Sequence, residues 1–144
     1  MLKLLALDEE DLAIVSAHMQ DAVFRVEDAS FSPKAGTFTI IANRFVWESA
    51  HEQSRSFERR RAVLVFKQVR AVRSTGFNRK ADDQVLDLLA LTFEKQGDGP
   101  EGYLELVLAG GAAILLNVDC IEVQLADTGG AWETTVKPRH PAKP

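Results

Sequence analysis

The chain has 144 residues, 46% hydrophobic and 26% charged, with a net charge of −4. That balance fits one folded domain of ordinary size and excludes a disordered chain or an all-over basic nucleic-acid binder. A single cysteine, Cys120, allows no internal disulfide, so the chain is expected in a reducing compartment, the cytoplasm.

The first seven residues hold six apolar ones and run into Asp8, Glu9, Glu10 and Asp11, too short and too acidic for a secretory signal. No apolar run approaches the roughly 18 residues that cross a bilayer. Asp8 suits an N-cap, and the acids after it suit the positive end of a helix. Leu12, Val15, Met19 and Val23 then recur at helical spacing, which predicts one helix over residues 9–21.

After this helix the period falls to two. Residues 23–31 read as a strand, Ser32, Pro33 and Gly36 as a turn, and residues 37–48 as the returning strand. Residues 49–56 are polar and without period. Residues 60–66 are apolar on both faces, a strand expected in the middle of a sheet. Residues 69–74 continue it or form the next strand after a bulge at Lys67–Gln68. Residues 85–93, 103–108 and 112–118 follow as strands, with glycine-rich turns between the last three. The apolar phase then slips from even positions (Leu116, Val118) to odd ones (Ile121, Val123, Leu125), a bend near Asp119–Cys120. The expected organisation is a globular domain over 1–132 and a proline-containing tail over 133–144. The fold class is α+β: one N-terminal helix and seven or eight mostly antiparallel strands, forming a sandwich, an open barrel or a pleckstrin-homology-like roll.

Charge is unevenly placed. Residues 55–80 hold nine basic groups and one acid, Glu58, for a net +8; the remainder carries −12. Such a belt either grips an anion through guanidinium forks or neutralises the domain's own carboxylates. Alternation on a strand puts Arg59 and Arg61 on one face and Arg60 on the other, and Arg70 and Arg73 fall on opposite sides, so the belt is not one stripe. Phe57 and Phe77 flank it, but no ribonucleoprotein motif accompanies them.

Other patterns yield to ordinary readings. Residues 97–102 match the spelling G-x-G-x-x-G, yet a strand follows where a dinucleotide site needs a helix, so they form a hairpin turn. His18, His51 and His140 are far apart, and no metal-ligand spacing occurs. Cys120 sits in an apolar strand pattern and reads as a structural thiol. No nucleophile, base and oxyanion donor assemble, so no catalytic residue, metal ligand or cofactor is expected.

Several strings in combination carry a resemblance. They are Leu5-Ala6-Leu7-Asp8-Glu9-Glu10-Asp11-Leu12 with Gln20-Asp21-Ala22; Asn43-Arg44-Phe45-Val46-Trp47-Glu48; Arg59-Arg60-Arg61-Ala62-Val63-Leu64; Ala71-Val72-Arg73-Ser74; and Gly110-Gly111-Ala112 leading to Cys120-Ile121-Glu122. Over about residues 1–132 they resemble a family of small alphaproteobacterial proteins known as a domain of unknown function. The resemblance implies a bacterial cytoplasmic protein with no assigned activity. It draws attention to Arg44, Trp47, Arg60, Arg61 and Arg73, and the belt adds Arg70; these six are the candidate ligand-binding residues. The leading expectation is a non-enzymatic binding module whose belt recognises an acidic protein, RNA or a phosphate-bearing ligand, with no membrane contact. The alternatives are a small enzyme using His51 or Asp82 beside the arginines, and a subunit of a homo-oligomer paired through a sheet edge such as residues 85–93.

Overall fold

The computed structural model describes residues 2–46 and 57–134. Trp47, His51, Arg55 and His140, and the expected tail beyond 134, lie outside them.

The chain enters as a short strand β1 (Lys3–Ala6), which the sequence reading did not anticipate because four residues are too few to show a period. Helix α1 (Glu9–Met19) follows. The Asp8 Oδ1 accepts the Asp11 N–H at 2.8 Å, and Glu9, Glu10 and Asp11 fill the first turn. Its buried stripe is Leu12, Val15 and Met19. The helix stops short of residue 21 because Asp21 turns left-handed at φ 66, while Val23 belongs to the next strand. The Ser16 hydroxyl accepts the Leu91 N–H at 2.9 Å, tying the helix to the sheet.

The expected strand over 23–31 is two pieces, β2 (Ala22–Arg25) and β3 (Ala29–Ser32), split by a 3-10 turn at Val26–Asp28. Then come β4 (Thr37–Phe45), β5 (Phe57–Phe66), β6 (Val69–Thr75), β7 (Val85–Lys95), β8 (Gly102–Leu108), β9 (Ala113–Val118) and β10 (Val123–Thr134). The chain is thus α+β, with ten strands among the described residues where seven or eight were expected. Lys67–Gln68 separates two strands, with Gln68 at φ 60. The phase slip at 119–122 is likewise a change of strand, from β9 to β10. Residues 97–102 form the β7–β8 hairpin, closed by Gln96 N–H to the Glu101 carbonyl at 3.0 Å.

All ten strands belong to one antiparallel sheet of order β1-β10-β5-β4-β2-β7-β8-β9-β6, with β3 branching from β4. The sheet is open, but it cannot be flat. Strands β5 and β6 stand six places apart in that order, which in a flat sheet means about 29 Å at ~4.8 Å per strand. Yet Phe66 and Val69 are three residues apart, at most about 11 Å of chain. The sheet therefore curls until its halves face each other. One hydrophobic cluster results, drawing Leu64, Phe66 and Leu125 from one half and Leu106, Ile114 and Leu116 from the other. Strand β7, considered from sequence as an edge, lies inside between β2 and β8.

Candidate functional site

The belt arginines are distributed by strand alternation. On β5, Arg60 pairs in register with Arg44 of β4, and both project to the inner face, where Ala42, Ala62 and Leu64 are buried. Arg44 is wholly buried, with its side chain 0% exposed. Its Nε donates to Asp127 Oδ1 at 2.8 Å and its NH2 to Asp127 Oδ2 at 2.9 Å, a two-pronged contact. The Leu2 N–H also donates to Asp127 Oδ2, at 3.0 Å, fastening β1 to the pair. Burial pushes the Asp127 carboxyl up. The Arg44 and Leu2 hydrogen bonds and the charges of Arg44 and Arg60 outweigh that, and the group ends below its ordinary value. Arg44 is therefore a structural member of the interior, with no access to a ligand.

Arg59 projects to the outer face and is also buried, at 4% exposure. Burial lowers its pKa, and the carboxylates of Asp87 and Asp21 raise it back only in part. Asp21 and Asp87 are buried too, so a second ionic cluster bridges the end of α1, β7 and β5.

Two further cations pair across the corner between the sheet halves. Lys67 meets Glu122 at 3.9 Å, and Arg70 pairs with Asp119. Gln68 Nε2 donates to Glu122 Oε1 at 3.1 Å beside them. Arg59, Lys67 and Arg70 of the belt thus face the domain's own acids.

Of the six candidates, Arg61 and Arg73 are exposed and form no ion pair among the described residues. They stand far apart in strand order, Arg61 on β5 and Arg73 on the edge strand β6. Arg73 borders a shallow hollow of about 60 Å³ with Tyr103 and Asn117. Arg61 borders a polar cleft of about 380 Å³ on the outer face of β2, β4 and β5. Val23, Asn43 and Arg61 occupy one cross-strand row, so their side chains share that face. Asn43 brings both a donor and an acceptor. Arg25, Glu27 and Asp28 also line the cleft; Glu27 lies 3.8 Å from Arg25, and Asp28 Oδ2 accepts the Arg25 N–H at 3.2 Å. The arrangement can hold an anion at Arg61 and a cation or hydrogen-bond donor near the acids.

Asp127, Asp21, Asp87 and Asn43 were not singled out from sequence. A signal existed for the first: Asp127 continues the buried odd phase of Val123 and Leu125, and Arg44 continues the buried even phase of Phe38, Ile40 and Ala42. Opposite charges closing two buried phases mark a buried pair. Asp82 and Asp83 are exposed on a loop. His18 is half-buried, its Nδ1 2.9 Å from the Ile14 carbonyl. Cys120 lies half-buried in the β9–β10 loop rather than in a strand, and burial together with Glu122 and Asp119 raises its thiol pKa, the opposite of nucleophile activation. Among the described residues no three His, Cys, Asp or Glu side chains gather as a metal site, and no helix is long and apolar enough to cross a membrane.

Residues 2–140 match the model of a family described as "Protein of unknown function (DUF2948)", and the chain belongs to that family. No curated protein and no solved structure matches it.

Proposed function

We propose that this member of the family is a non-enzymatic binding module whose Arg61 cleft takes a small phosphate-bearing ligand. We place it in the bacterial cytoplasm, as the lone cysteine and the sequence resemblance suggest. The observation that supports the reading is Arg61 itself: an exposed guanidinium without an ion pair among the described residues, at the edge of a cleft large enough for a metabolite. Glu27 and Asp28 on the same cleft disfavour a dense polyanion. They favour a phosphomonoester carrying an amine or hydroxyl, with the phosphate on Arg61 and the donor toward the acids. An RNA backbone fits less well, because the exposed cations of β5 and β6 form no continuous track.

Calorimetric titration with phosphoethanolamine and with tripolyphosphate tests this reading. Phosphoethanolamine is expected to bind more tightly, with a shallow salt dependence set by one or two charges. Arg61→Glu removes a charge-assisted hydrogen bond and adds repulsion, so affinity falls roughly tenfold to a hundredfold or more. Arg70→Glu leaves it unchanged, since Arg70 is already held by Asp119. Binding that responds to Arg70→Glu and not to Arg61→Glu defeats the proposal.

A second reading, self-association, has its own observation. Strand β1 lies at a sheet edge, and the apolar side chains Leu5 and Leu7 are 51% and 60% exposed. Such an edge can pair with a second copy. Light scattering at high micromolar concentration is expected to show a dimer that Leu5→Lys with Leu7→Lys converts to monomer; a monomeric wild type removes this reading.

A further inference from the structure

The curl of the sheet leaves a mouth that none of the described strands closes. Strand β3 is bonded to β4 alone, and β6 ends the strand order, so each has a free edge. Phe31 of β3 and Val72 and Ser74 of β6 line one cavity of about 230 Å³. Phe38, Phe77 and Ile114 continue its wall. Phe31, Val72 and Phe77 are partly buried and pack on the hydrophobic core, so the cavity opens the core to solvent between the two edges.

Its described lining holds two polar side chains, Ser74 and Arg79. Arg79 is exposed and forms no ion pair among the described residues. The loop that carries it is fixed from several sides. Val26 N–H donates to the Gln84 carbonyl and Glu27 N–H to the Asp82 carbonyl, both at 3.0 Å. Asn78 Oδ1 accepts the Lys80 N–H at 2.9 Å. Gly76, at φ 81, lies so close to the β8–β9 connection that a Cβ there would meet the Ala112 Cα at 2.7 Å. Arg79 is thus carried on an anchored loop at the rim of an apolar hole.

We infer that this mouth is a second binding site, independent of the Arg61 cleft, for a small amphipathic carboxylate: a free organic acid whose apolar body enters the hole and whose carboxylate meets Arg79, with Ser74 as a further donor. Charge decides the class. A neutral apolar ligand leaves Arg79 unused and an amine meets it with repulsion, whereas a carboxylate gains a charge-assisted contact. Volume decides the size. At about 230 Å³ the hole is below the ≈300 Å³ at which drug-sized pockets begin, so a medium-length chain or a single aromatic ring fills it.

Calorimetry with octanoate, its methyl ester and octylamine tests the site. Octanoate is expected to bind, and the ester and amine at least tenfold more weakly. Arg79→Gln, an exposed change that leaves the fold intact, is expected to weaken octanoate roughly tenfold while leaving phosphoethanolamine binding as it was. Ser74→Trp, which fills the hole, is expected to remove octanoate binding with an unchanged circular dichroism spectrum. Arg61→Glu is expected to have no effect on octanoate, which separates this site from the first. No heat with millimolar octanoate, equal binding of acid and ester, or a dissociation constant indifferent to Arg79→Gln overturns the inference.

Discussion

Replacing Asp127 with Ala lowers the stability of the fold by about 3–5 kcal/mol, because it leaves the Arg44 guanidinium buried without its carboxylate. The Asp127 side chain is 1% exposed and Arg44 0%, so both charges lie out of bulk solvent. The Leu2 N–H loses its acceptor as well, and β1 is expected to loosen from β10. Urea unfolding at neutral pH measures the loss. The double change Arg44→Met with Asp127→Leu recovers most of it, since removing both charges removes the desolvation penalty along with the attraction. A loss well under 1 kcal/mol for Asp127→Ala contradicts the assignment.

The same pair sets an acid limit. In the folded protein the Asp127 carboxyl titrates below its ordinary value. Its stabilisation is therefore complete above the unfolded value, roughly pH 4, and disappears as pH falls through the folded value. Wild-type stability is expected to decline below roughly pH 4 while that of Asp127→Ala stays flatter, so the two converge. A constant gap down to the acid transition counts against a depressed Asp127.

Arg59→Leu is expected to have an effect of similar size, about 3–5 kcal/mol. The substitution takes a cation away from Asp21 and Asp87, which are 5% and 6% exposed. Urea unfolding at neutral pH checks this; a loss well under 1 kcal/mol contradicts the cluster.

These two clusters show where sequence reading was strong and where it failed. The helix start at Asp8, the antiparallel strands and the hairpin at 97–102 were legible because each follows from local chemistry: a cap, a period, a glycine turn. Strand β1 was hidden because its pairing with β10 is set by contacts over a hundred residues away. The slip at 119–122 was visible in phase, but phase alone does not separate a bend within a strand from a step between sheet halves. Arg60 and Arg61 were rightly expected on opposite faces. That Arg44 and Arg59 are buried was not read, since an arginine in a sequence looks solvated until its acids arrive, here from β10, β7 and the end of α1. The Arg61 cleft depends on the side-by-side placement of β2, β4 and β5, and the apolar mouth on the curl that brings β3 opposite β6; neither has a local signature.

The reading of Arg61 as the phosphate-binding group of its cleft is tested most directly by nuclear magnetic resonance of the arginine side-chain Nε–H signals during titration with phosphoethanolamine. The Arg61 signal is expected to move in a saturable way while those of Arg44, Arg59 and Arg70 stay fixed. Movement at Arg70 or Arg73 with Arg61 still, or no saturable movement at all, contradicts it.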